Sequence, residues 1–203
     1  MPNELLDVVN DDDMVITQEM RSIVHRQGLQ HRGVHVFMVT SEGQLLVQQR
    51  GCHLETYPLA LDCSVSEHVK AGEDYRQAAN RGMAEELGLH GVRTHALVKF
   101  KMVYGPNDFE ICLLYEGCVN PIQVQFDPLE VEKITYYHLE ELEALIQSGE
   151  AVFSSWFVQL LKWYVGKPAE LQVMRTYSHN RLLLPAGKIG DGDRFGKQGD
   201  DKY

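Results

Sequence analysis

Short apolar runs, some continuous and some alternating with polar residues, recur along the chain between clusters rich in Gly, Asn and Asp. Runs with this length and punctuation predict β-strands joined by turns. The predicted strands cover residues 5–9, 14–17, 34–40, 44–49, 59–65, 96–104, 109–115 and 133–138. The acidic turn at 10–13 joins the first two as a hairpin, and the turn at 41–43 joins the next two.

Four other segments have the spacing of amphipathic helices and cover residues 17–27, 74–87, 139–148 and 153–165. Thr17 is the expected N-cap of the first. The second has the clearest limits, because Asp74 and Gln77 form a capping-box pattern at its start and Gly88 follows its last residue. Apolar residues at four-residue steps predict its buried stripe. They are Ala79, Met83 and Leu87.

Strands and helices are mixed without strict βαβ alternation, which predicts an α/β fold with a mixed sheet flanked by helices. We expect residues 1–167 to form one domain that includes the N-terminal hairpin and helix. The pattern decays after this point. Residues 168–203 are expected to form a partly disordered C-terminal extension, because 185–203 is rich in Gly, Asp and Lys and has no periodicity.

Acidic residues outnumber basic ones, 29 to 19, which gives a formal net charge of −10. This charge disfavours proteins that track nucleic-acid phosphates, and an anionic substrate would need a cation to offset it. No apolar run is long enough to span a bilayer, and residues 1–13 lack the pattern of a signal peptide. The four cysteines form no Cys-x-x-Cys pair, so we expect reduced, mostly buried thiols in a cytoplasmic protein. A homodimer is the expected assembly if the chain associates.

The segment from 66 to 89 holds the residues that predict chemistry. Glu73 lies in a loop, and Glu85 and Glu86 lie in the last turn of the second predicted helix, so three carboxylates can converge. Clustered carboxylates are costly unless a cation neutralises them, and Mg²⁺ prefers such oxygen ligands while it engages phosphates. The alternative is an exposed acidic helix end. The Glu-Glu pair alone would favour that alternative, but the joint spacing with Glu73 and Arg81 argues against it.

This spacing resembles the Nudix box, which runs Gly, five residues, Glu, seven residues, then Arg-Glu-apolar-x-Glu-Glu-x-Gly-apolar. The positions that match in register are Glu73, Arg81, Met83, Glu85, Glu86, Gly88 and Leu89. Glu67 stands where the first Gly belongs, and Gly82 stands where the Glu after Arg belongs. In many Nudix hydrolases that Glu supplies the general base or a metal ligand. The resemblance implies a Nudix α/β/α sandwich with a mixed sheet.

The wider resemblance covers about residues 4–165 and is closest to isopentenyl-diphosphate isomerase and its hydrolase-like relatives. It rests on the runs 31–36, 43–50, 64–68 and 153–157. It implies a second metal site, and His25 falls near its remaining histidine position but one residue out of register. The residues at matching positions are His31, His68, Asp108 and Glu110. The isomerase's essential cysteine falls on Ser66.

The leading hypothesis is Mg²⁺- or Mn²⁺-dependent hydrolysis of a small-molecule diphosphate linked to another moiety. Glu86 and Glu85 would hold the cation, with Glu73 in support. Glu86, Glu110 and Glu130 are the candidate catalytic residues, and the base is Glu110 or Glu130. Arg50 and Arg81 are the candidate substrate-binding residues, and Arg81 also supports Glu85. The alternatives are an isomerase-like enzyme and a catalytically impaired diphosphate-binding module.

Overall fold

The structure is a computed structural model and describes residues 4–183. The elements follow one another as β1 (Leu5–Val9), β2 (Val15–Met20), α1 (Arg21–Gln27), β3 (His31–Val39), β4 (Leu45–Arg50), β5 (Leu61–Asp62), β6 (Val65–His68), α2 (Tyr75–Leu87), β7 (Thr94–Gly105), β8 (Asp108–Cys118), a 3₁₀ turn (Pro121–Gln123), β9 (Val131–Tyr137), α3 (Leu139–Ser148), α4 (Ser155–Tyr164) and β10 (Gln172–Thr176).

One mixed sheet forms the centre of the molecule, with the strand order β10-β7-β8-β3-β4-β5, while β6 pairs with β3 and β9 pairs with β4. The pairing of β3 with β8 is parallel and the other pairings are antiparallel. β1 and β2 form a separate hairpin. The predicted α/β fold with a mixed sheet is confirmed.

Helices cover both faces of this sheet, because β3 sends alternate apolar side chains to opposite sides. Val34, Val36 and Met38 pack on one face in the same cluster as α2. Phe37 and Val39 pack on the other face with α3 and α4. The apolar layer beneath α2 fixes this helix against the sheet, and therefore fixes the position of the carboxylates at its C-terminal end.

Helix α2 begins and ends as the sequence predicts. The Asp74 side chain accepts a hydrogen bond from the Gln77 backbone, and the Gln77 side chain accepts one from Asp74, which completes the capping box. Gly88 adopts a left-handed conformation (φ 66°) that ends the helix without strain. The predicted stripe of Ala79, Met83 and Leu87 is buried.

Two local predictions are wrong. Thr17 lies in β2 and does not cap a helix, because residues 15–20 extend the hairpin with β1 and α1 begins only at Arg21. The predicted strand 59–65 is divided into β5, which pairs with β4, and β6, which pairs with β3.

A strand that the pattern did not predict, β10, lies within 168–203 and extends the sheet beside β7. The segment 185–203 lies outside the described residues. Of the four cysteines, Cys63 and Cys112 are buried, but Cys52 and Cys118 are exposed and all four are free. No helix between residues 4 and 183 has the length and apolar character needed to cross a membrane.

Candidate active site

A cavity of about 370 Å³ lies where β4, β6, β7, β8, α1 and the C-terminal end of α2 approach one another. Carboxylates dominate its wall, and three basic side chains accompany them. The acidic residues are Glu4, Glu67, Glu85, Glu86, Asp108, Glu110, Asp127 and Glu130, and the basic ones are Arg21, Arg50 and Lys70. A concave site that concentrates titratable groups in this way is a candidate active site.

The first group in the cavity, which we call the carboxylate cluster, consists of Glu67, Glu85 and Glu86. Glu86 is only 6% exposed, and its Oε2 accepts a hydrogen bond from Gln48 Nε2 at 2.9 Å. Its Oε1 is buried without any hydrogen-bond partner. Burial and the nearby Glu67 carboxylate raise the pKa of Glu86 well above its ordinary value. An unpartnered carboxylate oxygen in this position fits a divalent cation, which would remove the cost of burying the charge.

Arg81 organises the carboxylates around it, since each of its five N–H groups has an acceptor. Nε and Nη2 donate to Glu73, and Nη2 also donates to the His68 carbonyl. Nη1 reaches Glu67 Oε2 at 3.1 Å and Glu85 Oε2 at 3.2 Å. Glu73 lies outside the cavity wall, with its oxygens turned to Arg81 and to the Lys70 backbone. The structure therefore places Glu73 behind Arg81, and Glu67 beside Glu85 and Glu86.

The loop after β8 adds two more carboxylates to the same end of α2. The backbone of Gln125 donates to the Leu87 carbonyl, and that of Asp127 donates to the Glu86 carbonyl. These bonds hold the loop against the last turn of the helix. Asp127 and Glu130 line the same cavity as Glu86.

The second group, which we call the histidine cluster, consists of His25, His31, His68, Asp108 and Glu110. Nitrogen atoms of the three histidines lie within 4.8 Å of one another, and so do ligand atoms of His31, Asp108 and Glu110. Nε2 of His31 lies 3.5 Å from Glu110 Oε1, and Nε2 of His68 lies 3.6 Å from the same oxygen. Nδ1 of His25 lies 3.4 Å from Asp108 Oδ1. The sequence leaves His25 one residue out of register, but α1 carries its ring to the cluster.

Strand register builds the histidine cluster. His31 on β3 pairs with Glu110 on β8, and Gly33 on β3 pairs with His68 on β6. Residues two apart on a strand share a face, so the three side chains meet on one side of the sheet. Gly33 leaves the necessary space, because a Cβ there would overlap Glu110 Oε2 and lie 2.9 Å from Cys112 Sγ.

The donor atoms of this cluster suit a metal ion. His31 Nδ1 donates to the Leu29 carbonyl at 3.0 Å, so Nε2 is the ring nitrogen that faces the cluster. That Nε2, His25 Nε2 and Asp108 Oδ1 are buried without hydrogen-bond partners. Burial opposes ionisation of Glu110, but His31 and His68 outweigh it and hold the pKa of Glu110 well below its ordinary value. A mixed imidazole and carboxylate set suits Zn²⁺ or Mn²⁺.

A match to the NUDIX domain model covers residues 29–157, which is more than half of the chain. The chain belongs to the NUDIX family. It is 33% identical over 157 residues to an uncharacterized Nudix hydrolase of Streptomyces coelicolor, covering 74% of this chain and 82% of that protein. It is also 29% identical over 198 residues to isopentenyl-diphosphate Delta-isomerase 1 of Bos taurus, covering 79% and 84%. A crystal structure of a Deinococcus radiodurans protein superposes with a TM-score of 0.69 at 29% identity, covering 79% and 98%.

Nudix hydrolases generally use divalent metals such as Mg²⁺ or Mn²⁺, and the cavity of this chain contains acidic and histidine side chains that are candidate ligands. The carboxylate cluster contains Nudix-box residues, and the histidine cluster contains four of the residues that the isomerase resemblance singled out.

Arg50 lines the cavity of this Nudix domain, and most of its side chain is buried. Nη1 forms an ion pair with Asp62 at 2.9 Å, Nε donates to the Thr56 carbonyl, and the guanidinium lies 5.4 Å from the Trp156 ring centre. The salt bridge to Asp62 occupies Nη1, so this nitrogen already has an anionic partner within the protein. The contacts also fix the guanidinium at the cavity wall.

Sequence reasoning missed a line of polar contacts that joins the two ends of the cavity. His35 contacts Ser66 Oγ at 3.1 Å and the Tyr104 hydroxyl at 3.0 Å. The Tyr104 hydroxyl contacts Cys112 Sγ at 3.1 Å, and this thiol donates to Glu110 Oε2 at 3.2 Å. His35 and Cys112 lie two strand positions or a multiple of two from His31 and Glu110, but Tyr104 lies on β7, and no local pattern in the sequence pairs it with them.

Proposed function

We propose that this Nudix protein hydrolyses a diphosphate that is linked to another moiety, with a divalent cation held by the carboxylate cluster. The observation that supports it most is the buried, unpartnered Oε1 of Glu86 on the wall of an acidic cavity. A bound Mg²⁺ or Mn²⁺ would offset the negative charge of the substrate, polarise a phosphoryl oxygen and acidify a water molecule.

Glu86 and Glu85 are the proposed cation-holding residues. Glu85 is 55% exposed, so it can turn toward a hydrated cation, whereas Glu86 is fixed by Gln48. Glu73 supports the pair indirectly by holding Arg81. Because all five N–H groups of Arg81 already have acceptors, we assign Arg81 a positioning role and assign phosphate contact to Arg50.

Glu130 is the preferred general base, ahead of Glu110. Glu110 is paired with two histidines, and its low pKa makes it a weak proton acceptor. Glu130 lies on the loop that packs against the end of α2. In the proposed step, a water oxygen bonds to phosphorus and the bridging P–O bond breaks. The water proton passes to the Glu130 carboxylate, and each product carries one phosphate group.

The test is a panel of diphosphate compounds, including nucleotide sugars and dinucleoside diphosphates, incubated with Mg²⁺ or Mn²⁺ and analysed by ³¹P NMR. We expect at least one compound to be cleaved at the anhydride, and Glu86→Gln to abolish that cleavage. Glu132→Gln is the matched control, because Glu132 is exposed on β9 and outside the cavity. Unchanged cleavage by Glu86→Gln would contradict the proposal.

A second candidate function, isomerisation of an allylic diphosphate, is supported by the histidine cluster and by the isomerase relatives. Ser66 is a weaker acid than the cysteine at that position in isomerases and is a poor proton donor to carbon. Incubation with isopentenyl diphosphate distinguishes the two functions. Dimethylallyl diphosphate as product would support isomerisation, and an intact substrate would exclude it.

A third candidate is a binding module without turnover. Thermal stabilisation by a nucleotide sugar or another diphosphate, with no anhydride cleaved after long incubation, would favour it over both enzymes. We also propose a cytoplasmic location, supported by the four free cysteines, and a homodimer as the assembly to test by light scattering.

A further inference from the structure

The two residues that depart from the Nudix box, Glu67 and Gly82, lie against each other in the structure. A Cβ built on Gly82 would lie 2.8 Å from Glu67 Cγ and 2.6 Å from Val65 Cγ1. Real Cβ atoms essentially never approach other atoms so closely. The Glu67 side chain therefore passes through the space that a side chain at position 82 would need.

We propose that Glu67 supplies, from strand β6, the carboxylate that the box ordinarily supplies from position 82 of the helix. The Glu at position 67 then compensates for the missing Glu at position 82, and the carboxylate cluster keeps the same number of acidic groups. This inference rests on the proposed metal-dependent function and assigns Glu67 as a further cation-binding residue.

The backbone brings Glu67 to the right place. β6 is held in the sheet by β3, where Glu67 pairs with Val34, and α2 packs across β6. Gly82 is buried at this crossing. With no side chain at Gly82, the helix leaves room for a long side chain that rises from the strand to the level of Glu86.

Charge contacts then direct the Glu67 carboxylate into the cavity. Arg81 Nη1 holds Glu67 Oε2 at 3.1 Å and Glu85 Oε2 at 3.2 Å, so one nitrogen aligns two carboxylates. Glu67 and Glu86 both line the cavity. Arg81 therefore holds Glu67 beside Glu85, although Glu67 lies on β6 and Glu85 lies on α2.

An independent observation indicates a ligand at this point. Glu86 is 6% exposed, and its Oε1 is buried without a partner. The same oxygen lies 3.5 Å from the Cβ position of Gly82, which is the space beside Glu67. Two carboxylates that share a buried space, one with an unpartnered oxygen, have the arrangement of a divalent cation site.

The opposing explanation is that Glu67 only neutralises Arg81. Without Glu67, Arg81 would still donate to both oxygens of Glu73, to Glu85 and to the His68 carbonyl. A merely structural Glu67 would then affect thermal stability and leave the affinity for Mg²⁺ unchanged. The two explanations differ in a measurable quantity that does not require a substrate.

The test is titration of the full chain with Mg²⁺ alone, followed by calorimetry and by the shift in Tm. Mg²⁺ is chosen because it prefers oxygen ligands and thus reports the carboxylate cluster rather than the histidines. We expect Glu67→Gln to weaken Mg²⁺ binding by about tenfold or more, because loss of even a supporting partner typically costs that much. Glu132→Gln should bind Mg²⁺ like the unaltered protein. Equal affinities in the unaltered protein and Glu67→Gln would overturn the proposal.

The exchange itself gives a second test. We expect Glu67→Gly to weaken Mg²⁺ binding, and the double variant Glu67→Gly/Gly82→Glu to recover most of the affinity. A folded double variant that binds Mg²⁺ no better than Glu67→Gly would overturn the proposal, and if it fails to fold, Glu67→Gln decides the matter. An unaltered protein that binds Mg²⁺ through Glu67 but cleaves no diphosphate would contradict only the proposed hydrolysis.

Discussion

The carboxylate cluster and the histidine cluster share one cavity but are built in different ways. The first is set by the end of a helix, where one arginine aligns carboxylates from α2 and β6. The second is set by strand register, which pairs His31 with Glu110 and places His68 opposite Gly33. Oxygen-only ligands favour Mg²⁺, and mixed imidazole and carboxylate ligands favour Zn²⁺ or Mn²⁺. The comparison shows that one cavity of a Nudix fold brings together two groups of candidate cation ligands with different chemistry.

The largest expected effect comes from Glu86, because it holds the unpartnered oxygen. Glu86→Gln should lower Mg²⁺-dependent cleavage by more than about 100-fold, since loss of a supporting partner alone costs about 10–100-fold. Binding of Zn²⁺ to the histidine cluster should persist in this variant. Steady-state kinetics and a Zn²⁺ titration of this variant test whether the two clusters act independently. Loss of both cleavage and Zn²⁺ binding would show that they form a single site.

The converse change tests the histidine cluster. Gly33→Ala should displace the Glu110 carboxylate, weaken Zn²⁺ binding and lower the free energy of unfolding by about 1–3 kcal/mol, as for an overpacked core. Gly105→Ala is the matched control, because a Cβ there meets no atom within 4 Å. Urea denaturation and Zn²⁺ titration are the measurements. Stability and Zn²⁺ affinity equal to those of Gly105→Ala would refute the role given to Gly33.

A smaller effect is expected at Glu85. Its side chain is 55% exposed and contacts Arg81, so a hydrated cation can engage it without displacing buried groups. Glu85→Gln should reduce Mg²⁺-dependent cleavage by about tenfold at most, compared with the much larger loss at Glu86. Kinetics on both variants, with the same substrate and Mg²⁺ concentration, test this order. A greater loss in Glu85→Gln than in Glu86→Gln would reverse the assignment.

The smallest effect concerns pH. Burial raises the pKa of Glu67 from 4.5 to about 7, although Arg81 attracts its charged form. The folded protein therefore keeps a proton that the unfolded chain has released. The contribution of Glu67 to the free energy of unfolding is fully present below pH 4.5 and is lost as the pH rises through about 7. We expect the metal-free protein to have a lower Tm at pH 8 than at pH 6, and Glu67→Gln to reduce that difference by a few degrees. An equal difference in Tm between pH 6 and pH 8 in the two proteins would show that Glu67 does not cause it.

The sequence predicted the helical half of the site better than the strand half. Asp74, Gln77 and Gly88 are local signals, so both ends of α2 were predicted correctly, and Glu85 and Glu86 followed from them. The role of Glu73 behind Arg81 depends on a loop conformation, which spacing does not specify. Glu67 could not be placed beside Gly82 from the sequence, because their contact depends on how α2 packs over β6.

The strand half depends on pairings between distant parts of the chain. The resemblance supplied His31, His68, Asp108 and Glu110, but the contact of Tyr104 with Cys112 and His35 requires the registers of β3, β7 and β8. The resemblance left His25 one residue out of register. Its ring reaches the cluster because α1 packs against β1 and β2, and a sequence match does not specify that packing.

We infer that the carboxylates at the end of α2 bind a divalent cation, and anomalous diffraction from crystals soaked in Mn²⁺ is the measurement that decides it. We expect a peak within about 2.3 Å of Glu86 Oε1, with a Glu67 oxygen in the same coordination sphere. A protein that takes up Mn²⁺ only among His25, His31 and His68, with no peak near Glu86, would contradict the claim.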